Sequence, residues 1–259
     1  MPALVIEANG ARIPALGLGT WDLRGRTCVR MVEAALRFGY RHIDTAAMYD
    51  NERGVGEGLR ASGVPREEIF VTTKVWSTDL AARNLERSAQ HSLAELKLKY
   101  VDLLLIHWPN PRIPLSETIP ALCKMKTLGL TRHIGISNFT VPLIEEAVRL
   151  ADQPLVTNQI EWHPFVDQSD IRKACRKLGL SVTAYSPVAR GRAAHNKALA
   201  AIGARHGKSA TQVALRFLLQ EGAIVIPRTS NSERLAENFN VFDFALTAAE
   251  MQDVHKLAR

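Results

Sequence analysis

Four residues of this 259-residue chain could carry proton chemistry: Asp44, Tyr49, Lys74 and His107. Three of them end apolar runs. Arg41-His42-Ile43-Asp44 reads as a short buried strand that breaks at its carboxylate, and the phenol of Tyr49 follows five positions on, within a polar run. Residues 69–74 form a strand pattern that ends on an amine, and residues 101–107 form a long apolar one that ends on an imidazole. A carboxylate where a strand leaves a core, with a phenol close behind it, suggests a catalytic site. On that stretch alone a plainer reading stands equally open, because Asp is a favoured helix N-cap and Tyr packs well under loops.

The elements that must position these groups alternate along the chain. After a small hairpin signal around Asn9-Gly10, strand candidates fall at 15–19, 41–44, 69–74, 101–107, 131–137, 155–160, 180–185 and 223–226. Helical patterns occupy 27–38, 51–62, 81–96, 120–128, 142–150, 169–178, 196–206 and 210–220 between them, then 232–238 and 248–257 after the last strand. Strands that are apolar on both faces and joined through helices predict a parallel sheet covered by helices. Eight of them in a chain of about 250 residues favour a closed (β/α)8 TIM barrel over an open doubly wound sheet. No Gly/Ser-rich or proline-rich linker divides the chain. The expectation is therefore a single α/β domain over 1–259, with a short N-terminal hairpin and extra helices near the C-terminus.

Composition narrows the function classes. A hydrophobic fraction of 46% supports a full core. Cys28, Cys123 and Cys175 are odd in number and in no CxxC pair, which argues against a disulfide scaffold or a zinc site and fits a reducing compartment. Residues 1–10 lack a basic, then apolar, signal pattern, and no segment approaches the roughly 20 apolar residues of a membrane span. A cytoplasmic protein with no membrane partner is expected. The net charge of +7 is spread through helix-like segments without a run of five basic residues, so no nucleic-acid partner is expected, and a phosphorylated cofactor is enough to use the charge.

The obvious rival is a dinucleotide fingerprint. Gly17-Leu-Gly19 and Gly54-Val-Gly56-Glu-Gly58 are the only glycine clusters, and neither gives G-x-G-x-x-G at a strand-to-helix turn; G-x-x-x-x-G-K-[ST] is absent too. Chemistry in a (β/α)8 barrel gathers instead at the C-terminal ends of the strands. Those ends read Gly19-Thr20-Trp21, Asp44, Lys74-Val75-Trp76, His107-Trp108, Ser137-Asn138, Gln159, Tyr185-Ser186 and Pro227-Arg228. One polar ending is explained by a cap or a snorkelling lysine. Ionisable groups converging on one mouth are not.

At these residues the chain resembles the aldo-keto reductase superfamily over nearly its whole length, and within it the small bacterial 2,5-diketo-D-gluconate reductases, above all the B type associated with methylglyoxal reduction. The stretches that carry the resemblance are Gly17-Leu-Gly-Thr-Trp21, Tyr40-Arg-His-Ile-Asp-Thr-Ala46, Tyr49-Asp-Asn-Glu52, Thr73-Lys-Val-Trp76 and Tyr100-Val-Asp-Leu-Leu-Leu-Ile-His-Trp-Pro109. Ile134-Gly-Ile-Ser-Asn-Phe139, Asn158-Gln-Ile-Glu161, Tyr185-Ser-Pro187 and Ile226-Pro-Arg-Thr-Ser230 follow in order.

The resemblance implies NADPH-dependent reduction of small aldehydes, ketones or α-dicarbonyls by a monomer, with Asp44, Tyr49, Lys74 and His107 as the catalytic four. A free phenol, with a pKa of about 10, is a poor acid near neutrality. Lys74 beside Tyr49 is expected to lower that pKa, Asp44 to hold Lys74, and His107 to orient the substrate carbonyl. Trp21, Trp76 and Trp108, with Tyr49 and His107, would line the substrate pocket.

For NADP(H), the resemblance implies Ser137, Asn138 and Gln159 on the carboxamide and Tyr185 stacked on the nicotinamide. Ser186 would meet the pyrophosphate, with Gly19, Thr20 and Asp44 also at the cofactor. Arg228, Thr229, Ser230 and Arg234 would surround the 2′-phosphate, and Glu237 and Asn238 the adenine. Two arginines suit a phosphate better than a bare ribose diol.

Three departures carry expectations of their own. Arg228 stands where many relatives have Lys. The segment 188–192 runs almost directly into the next helix where longer relatives carry a covering loop, which implies looser cofactor binding. The sequence stops at Arg259, where the family usually continues into a tail beside the pocket, which implies an open pocket and broad selectivity. The alternative function is an NADP(H)-binding sensor on the same fold with little turnover.

Overall fold

The computed structural model describes residues 4–258. Its first two strands, β1 (Val5–Ala8) and β2 (Ala11–Pro14), form the antiparallel hairpin predicted at Asn9-Gly10, where both turn residues have positive φ. Eight parallel strands follow, and each pairs with the next in chain order. They are β3 (Leu18–Gly19), β4 (His42–Asp44), β5 (Phe70–Val75), β6 (Val101–Ile106), β7 (Thr131–Ser137), β8 (Leu155–Glu161), β9 (Ser181–Tyr185) and β10 (Ile224–Val225).

Between them run α1 (Gly25–Phe38), α2 (Glu52–Ala61), α3 (Ala82–Leu96), α4 (Leu115–Thr127), α5 (Val141–Leu150), α6 (Ser169–Lys177), α7 (Lys197–His206) and α8 (Ala210–Gln220). After β10 come α9 (Ser232–Phe239) and α10 (Ala248–His255). The two outer strands of the sheet also meet. Leu16 bridges Val225 in parallel, Gly17 N–H donates to Val225 O at 2.9 Å, and Gly19 N–H donates to Pro227 O at 3.1 Å. The sheet thus curls until its edges touch, which leaves no long row of unpaired backbone groups.

The interior confirms the curl. Phe70 on β5, Val156 on β8 and Ile224 on β10 share one small apolar cluster with Leu103 and Leu105, although their strands are not all neighbours. Such side chains meet only inside a closed or nearly closed sheet. Ala11 and Ile13 of the hairpin join the same cluster and floor it. A much larger apolar shell fills the space between strands and helices.

One prediction about the elements needs correction. The helix expected to begin at Pro120 begins at Leu115, with Pro120 inside it. The buried stripe of Leu115, Ile119 and Leu122 carries the helix through the proline, whose missing N–H loses only one backbone bond. The glycine cluster at 54–58 also finds its reason here. A Cβ on Gly56 would lie 2.3 Å from Leu96 O, and one on Gly58 would lie 2.8 Å from Val29 O, so these glycines let α2 approach α3 and α1.

Gly19 holds the seam of the sheet in the same way, since a Cβ there would lie 2.7 Å from the backbone oxygen of Ile226. Gly19→Ala must therefore push β3 away from the chain after β10. We expect it to lower stability by about 1–3 kcal/mol, read as a lower urea midpoint. An unchanged midpoint would show that the seam is not closely packed.

Candidate active site

Strand alternation decides which side chains reach the mouth. On β5, Phe70, Thr72 and Lys74 share the inner face, rising from the apolar floor to the C-terminal end. On β4, His42 and Asp44 rise likewise. Asp44 pairs in register with Thr72, and the His42 ring lies beside Thr72 Oγ1 at 3.1 Å and Pro14 O at 3.3 Å. His42 is thus a bonded middle layer, and its burial lowers its pKa. Asp44 and Lys74 form the layer above it.

Lys74 is fully buried, and its ammonium has three partners. It donates to Asp44 Oδ1 at 2.5 Å, to Thr45 O at 2.8 Å and to the Tyr49 hydroxyl at 3.2 Å. Burial alone would lower its pKa, but the Asp44 carboxylate and the Tyr49 oxygen outweigh that, and the pKa is raised. The lysine is charged. Tyr49 sits on a short 3-10 turn, Ala47–Tyr49, with its ring partly exposed at the mouth and its hydroxyl turned to the lysine.

The expected lowering of the Tyr49 pKa is not what the structure gives. Burial of the phenol, which disfavours phenolate, exceeds the opposing effect of Lys74, and Asp44 adds to the rise. The sequence placed the cation correctly but could not weigh it against desolvation. In this structure Tyr49 holds its proton at neutral pH, as a donor must.

His107 follows directly on β6, and its backbone N–H donates to Val75 O. Its ring meets Tyr49 edge-on at 5.6 Å and Trp76 at 5.1 Å. Its Nδ1 is one of two buried side-chain atoms without a hydrogen-bond partner among the described residues. Burial, then the Lys74 charge, lower its pKa to about 3. A neutral imidazole beside the phenol can offer one N–H to an oxygen.

The remaining predicted residues fall into two groups. Ser137, Asn138, Gln159 and Tyr185 form one hydrogen-bonded rim. Tyr185 OH donates to Asn138 Oδ1 at 3.0 Å, Asn138 Nδ2 donates to His107 O at 2.9 Å, and Ser137 Oγ donates to Gln159 O at 2.8 Å. Gln159 Nε2 donates to Asp44 Oδ2 at 2.8 Å. Asn138 and Ser186 have positive φ, turning the chain sharply at two strand ends. After Ser186, Ala189, Arg190 and Gly191 all have positive φ, within a kinked 3-10 run, Ala189–His195, that ends just before α7.

The second group lies after β10. Arg228 is exposed and donates to Trp21 O and Asp22 O, both at 3.2 Å. Thr229 is buried, while Ser230 and Arg234 are exposed, and Arg234 joins no ion pair among the described residues. Glu237 accepts from Ser209 Oγ at 2.6 Å, so its carboxylate is turned to α8, and Asn238 is buried on α9.

Of the tryptophans, Trp21 packs edge-on against Tyr49 at 4.9 Å and is 51% exposed; Trp108 is 43% exposed. Thr20 ties this wall to the centre, donating through N and Oγ1 to Asp44 O.

Two bracing residues escaped the sequence reading. Asn51 Nδ2 donates to Thr20 O and Leu23 O while its Oδ1 accepts from Thr45, joining the Trp21 loop to the Tyr49 loop. Glu52, buried and with a raised pKa from burial, accepts from Thr73, the strand neighbour of Lys74, at 2.5 Å. Both lie in the quoted Tyr49–Glu52 stretch, but only the fold shows what they reach. Two other concavities, one lined by Glu7, Arg172 and Gly222 and one by Arg12, Glu68 and Arg132, contain none of the predicted residues.

A half-buried phenol held by a buried ammonium, beside a neutral imidazole and an amide-rich rim, is equipped to protonate an oxygen. The sequence matches the profile of the aldo/keto reductase family over residues 15–259, and the chain belongs to that family. It is 42% identical to a 9,11-endoperoxide prostaglandin H2 reductase of Trypanosoma cruzi (strain CL Brener), over 96% of this chain and 89% of that protein. It is 40% identical to a methylglyoxal reductase of Salmonella typhi, over 95% of this chain and 93% of the relative. A crystal structure provisionally named 2,5-diketo-D-gluconic acid reductase B superposes with a TM-score of 0.98 at 46% identity, covering 99% of this chain and 92% of that one. The aldo-keto reductase of Bombyx mori in complex with NADP superposes at 0.93 with 36% identity, covering 100% and 94%.

Because the folded state holds His107 neutral, its imidazole signals should stay flat between about pH 5 and 8 in NMR. Acid should then favour unfolding from the ordinary histidine value downward, since the unfolded chain takes up the proton first. A titration midpoint near 6.5 would mean that the ring is solvated.

Proposed function

We propose that the protein reduces small aldehydes, ketones and α-dicarbonyls, of the methylglyoxal or 2,5-diketo-D-gluconate type, to alcohols with NADPH. The observation that carries this reading is the contact of the Tyr49 hydroxyl with a buried, charged Lys74 that Asp44 holds at 2.5 Å. NADPH, when bound, supplies the hydride. The chain supplies the rest. Tyr49 gives its proton to the oxygen that becomes alkoxide, and Lys74 stabilises the phenolate left behind. His107 donates a hydrogen bond to the same oxygen and sets the carbonyl's angle. Trp21, Trp76 and Trp108 exclude water from one side.

The donor set fits a nicotinamide dinucleotide. Ser137, Asn138 and Gln159 present amide and hydroxyl groups for a carboxamide, and Tyr185 an aromatic face. Ser186, Gly19 and Thr20 border the path across the mouth. At the far end Arg228, Thr229, Ser230 and Arg234, which joins no ion pair among the described residues, favour a 2′-phosphate, with Asn238 and Glu237 on the adenine side.

Exposed Trp21 and Trp108 suit an open pocket and broad selectivity, as do relatives named for both a prostaglandin endoperoxide and methylglyoxal. The protein works as a single-domain monomer in the cytoplasm. Three buried free cysteines fit that compartment. No helix among the described residues is long and apolar enough to cross a membrane. A sensor role finds no support, because the relatives bear the names of reductases.

Methylglyoxal reduction followed through NADPH absorbance tests the reading. Tyr49→Phe should lose kcat by about three orders of magnitude or more while still binding NADPH. An active Tyr49→Phe variant would overturn the mechanism, and a wild type that binds NADPH without turnover would favour the sensor. In a fluorescence titration, Arg228→Ala with Arg234→Ala should weaken NADPH about ten- to hundredfold and NADH little. Equal affinities of the wild type for NADPH and NADH would sink the cofactor assignment.

A further inference from the structure

Gln159 and Asp44 lie 115 residues apart in sequence, on β8 and β4, which are four strands apart in the sheet. Their side chains nevertheless meet across the mouth at 2.8 Å, and both are buried. A carboxylate can only accept, so the group aimed at Asp44 Oδ2 must be the amide NH2, and the orientation of the Gln159 amide is set by chemistry. Asp44 is thus held at both oxygens, Oδ1 by Lys74 and Oδ2 by Gln159.

The glutamine is itself fixed. Its backbone carbonyl accepts from Ser137 Oγ at 2.8 Å and from Asn138 N–H at 2.9 Å, at the corner where Asn138 is left-handed.

We propose that Gln159 is a positioning residue that fixes the rotation of the Asp44 carboxylate and thereby holds Lys74 against Tyr49. Without it, the torsion about the carboxylate is soft and nothing but the lysine determines it. The amide oxygen, turned away from Asp44, remains an acceptor for the NH2 of a nicotinamide carboxamide. One side chain then links cofactor seating to the proton donor. This rests on the reductase reading above and adds a second task to a residue expected only to touch the cofactor.

The charged and titratable groups around Tyr49 are Lys74 from β5, Asp44 from β4, His107 after β6 and Tyr185 from β9, with Glu161 and Arg190 beside Tyr185. Gln159→Met keeps the length and removes the bond. NADPH binding should weaken through the lost carboxamide contact, and beyond that its kcat at saturating NADPH should fall about tenfold or more. Positioning also predicts that the alkaline limb of the kcat profile of Gln159→Met moves to higher pH, because a Lys74 no longer held against Tyr49 favours phenolate less.

A Met variant with wild-type kcat, an unmoved limb and only a raised KM for NADPH would reduce Gln159 to a plain cofactor contact. An active wild type beside a fully active Met variant overturns this inference alone; a wild type without turnover overturns the reductase reading with it.

Discussion

The structure depends on placing one ammonium ion, that of Lys74, inside the mouth of a parallel sheet. An isolated charge in such a site is costly, and the protein offsets the cost with a carboxylate, a backbone carbonyl and a phenol around one nitrogen. Asp44 and Thr45 are consecutive at the end of β4 and Tyr49 follows on the next turn, so the ion pair holds only if β4, β5 and the loop carrying Tyr49 keep their relative heights. Parallel register does this: Asp44 pairs with Thr72, two residues below Lys74 on the same face. Much of the surrounding hydrogen bonding serves the same end, from Asn51 strapping two loops together to Thr20 holding the Asp44 backbone.

The architecture was largely legible in the chain because parallel strands buried on both faces read as plain apolar runs, and each run here ends on a polar group. Residues 101–107 need no periodicity to be recognised, and the break at Asp44 is visible in the sequence alone. Helix α4 was misplaced because a proline is a good first helical residue, and only the packed stripe on either side reveals that Pro120 lies inside. The glycines of α2 match no nucleotide fingerprint in the sequence, and the structure shows them to be a packing device.

The candidate site was legible as a set of residues but not as a set of strengths. Strand ends bring Asp44, Lys74 and His107 to one mouth, and the sequence contains that. Whether Lys74 or desolvation wins at the Tyr49 phenol depends on burial, which no spacing encodes, and here desolvation wins. The bond from Gln159 to Asp44 was hidden for a related reason: it spans the barrel between strands that never pair.

The central claim is that Asp44, Lys74 and Tyr49 act as one proton-donating unit, and the most direct measurement is a double-mutant cycle on kcat for methylglyoxal with NADPH. Groups that work as a unit are strongly non-additive when removed. Tyr49→Phe and Lys74→Met should each abolish most of the rate, and the double variant should be no slower than the slower single variant. Losses that multiply, with the double variant slower by the product of the two single effects, would contradict the account by showing that lysine and tyrosine contribute independently.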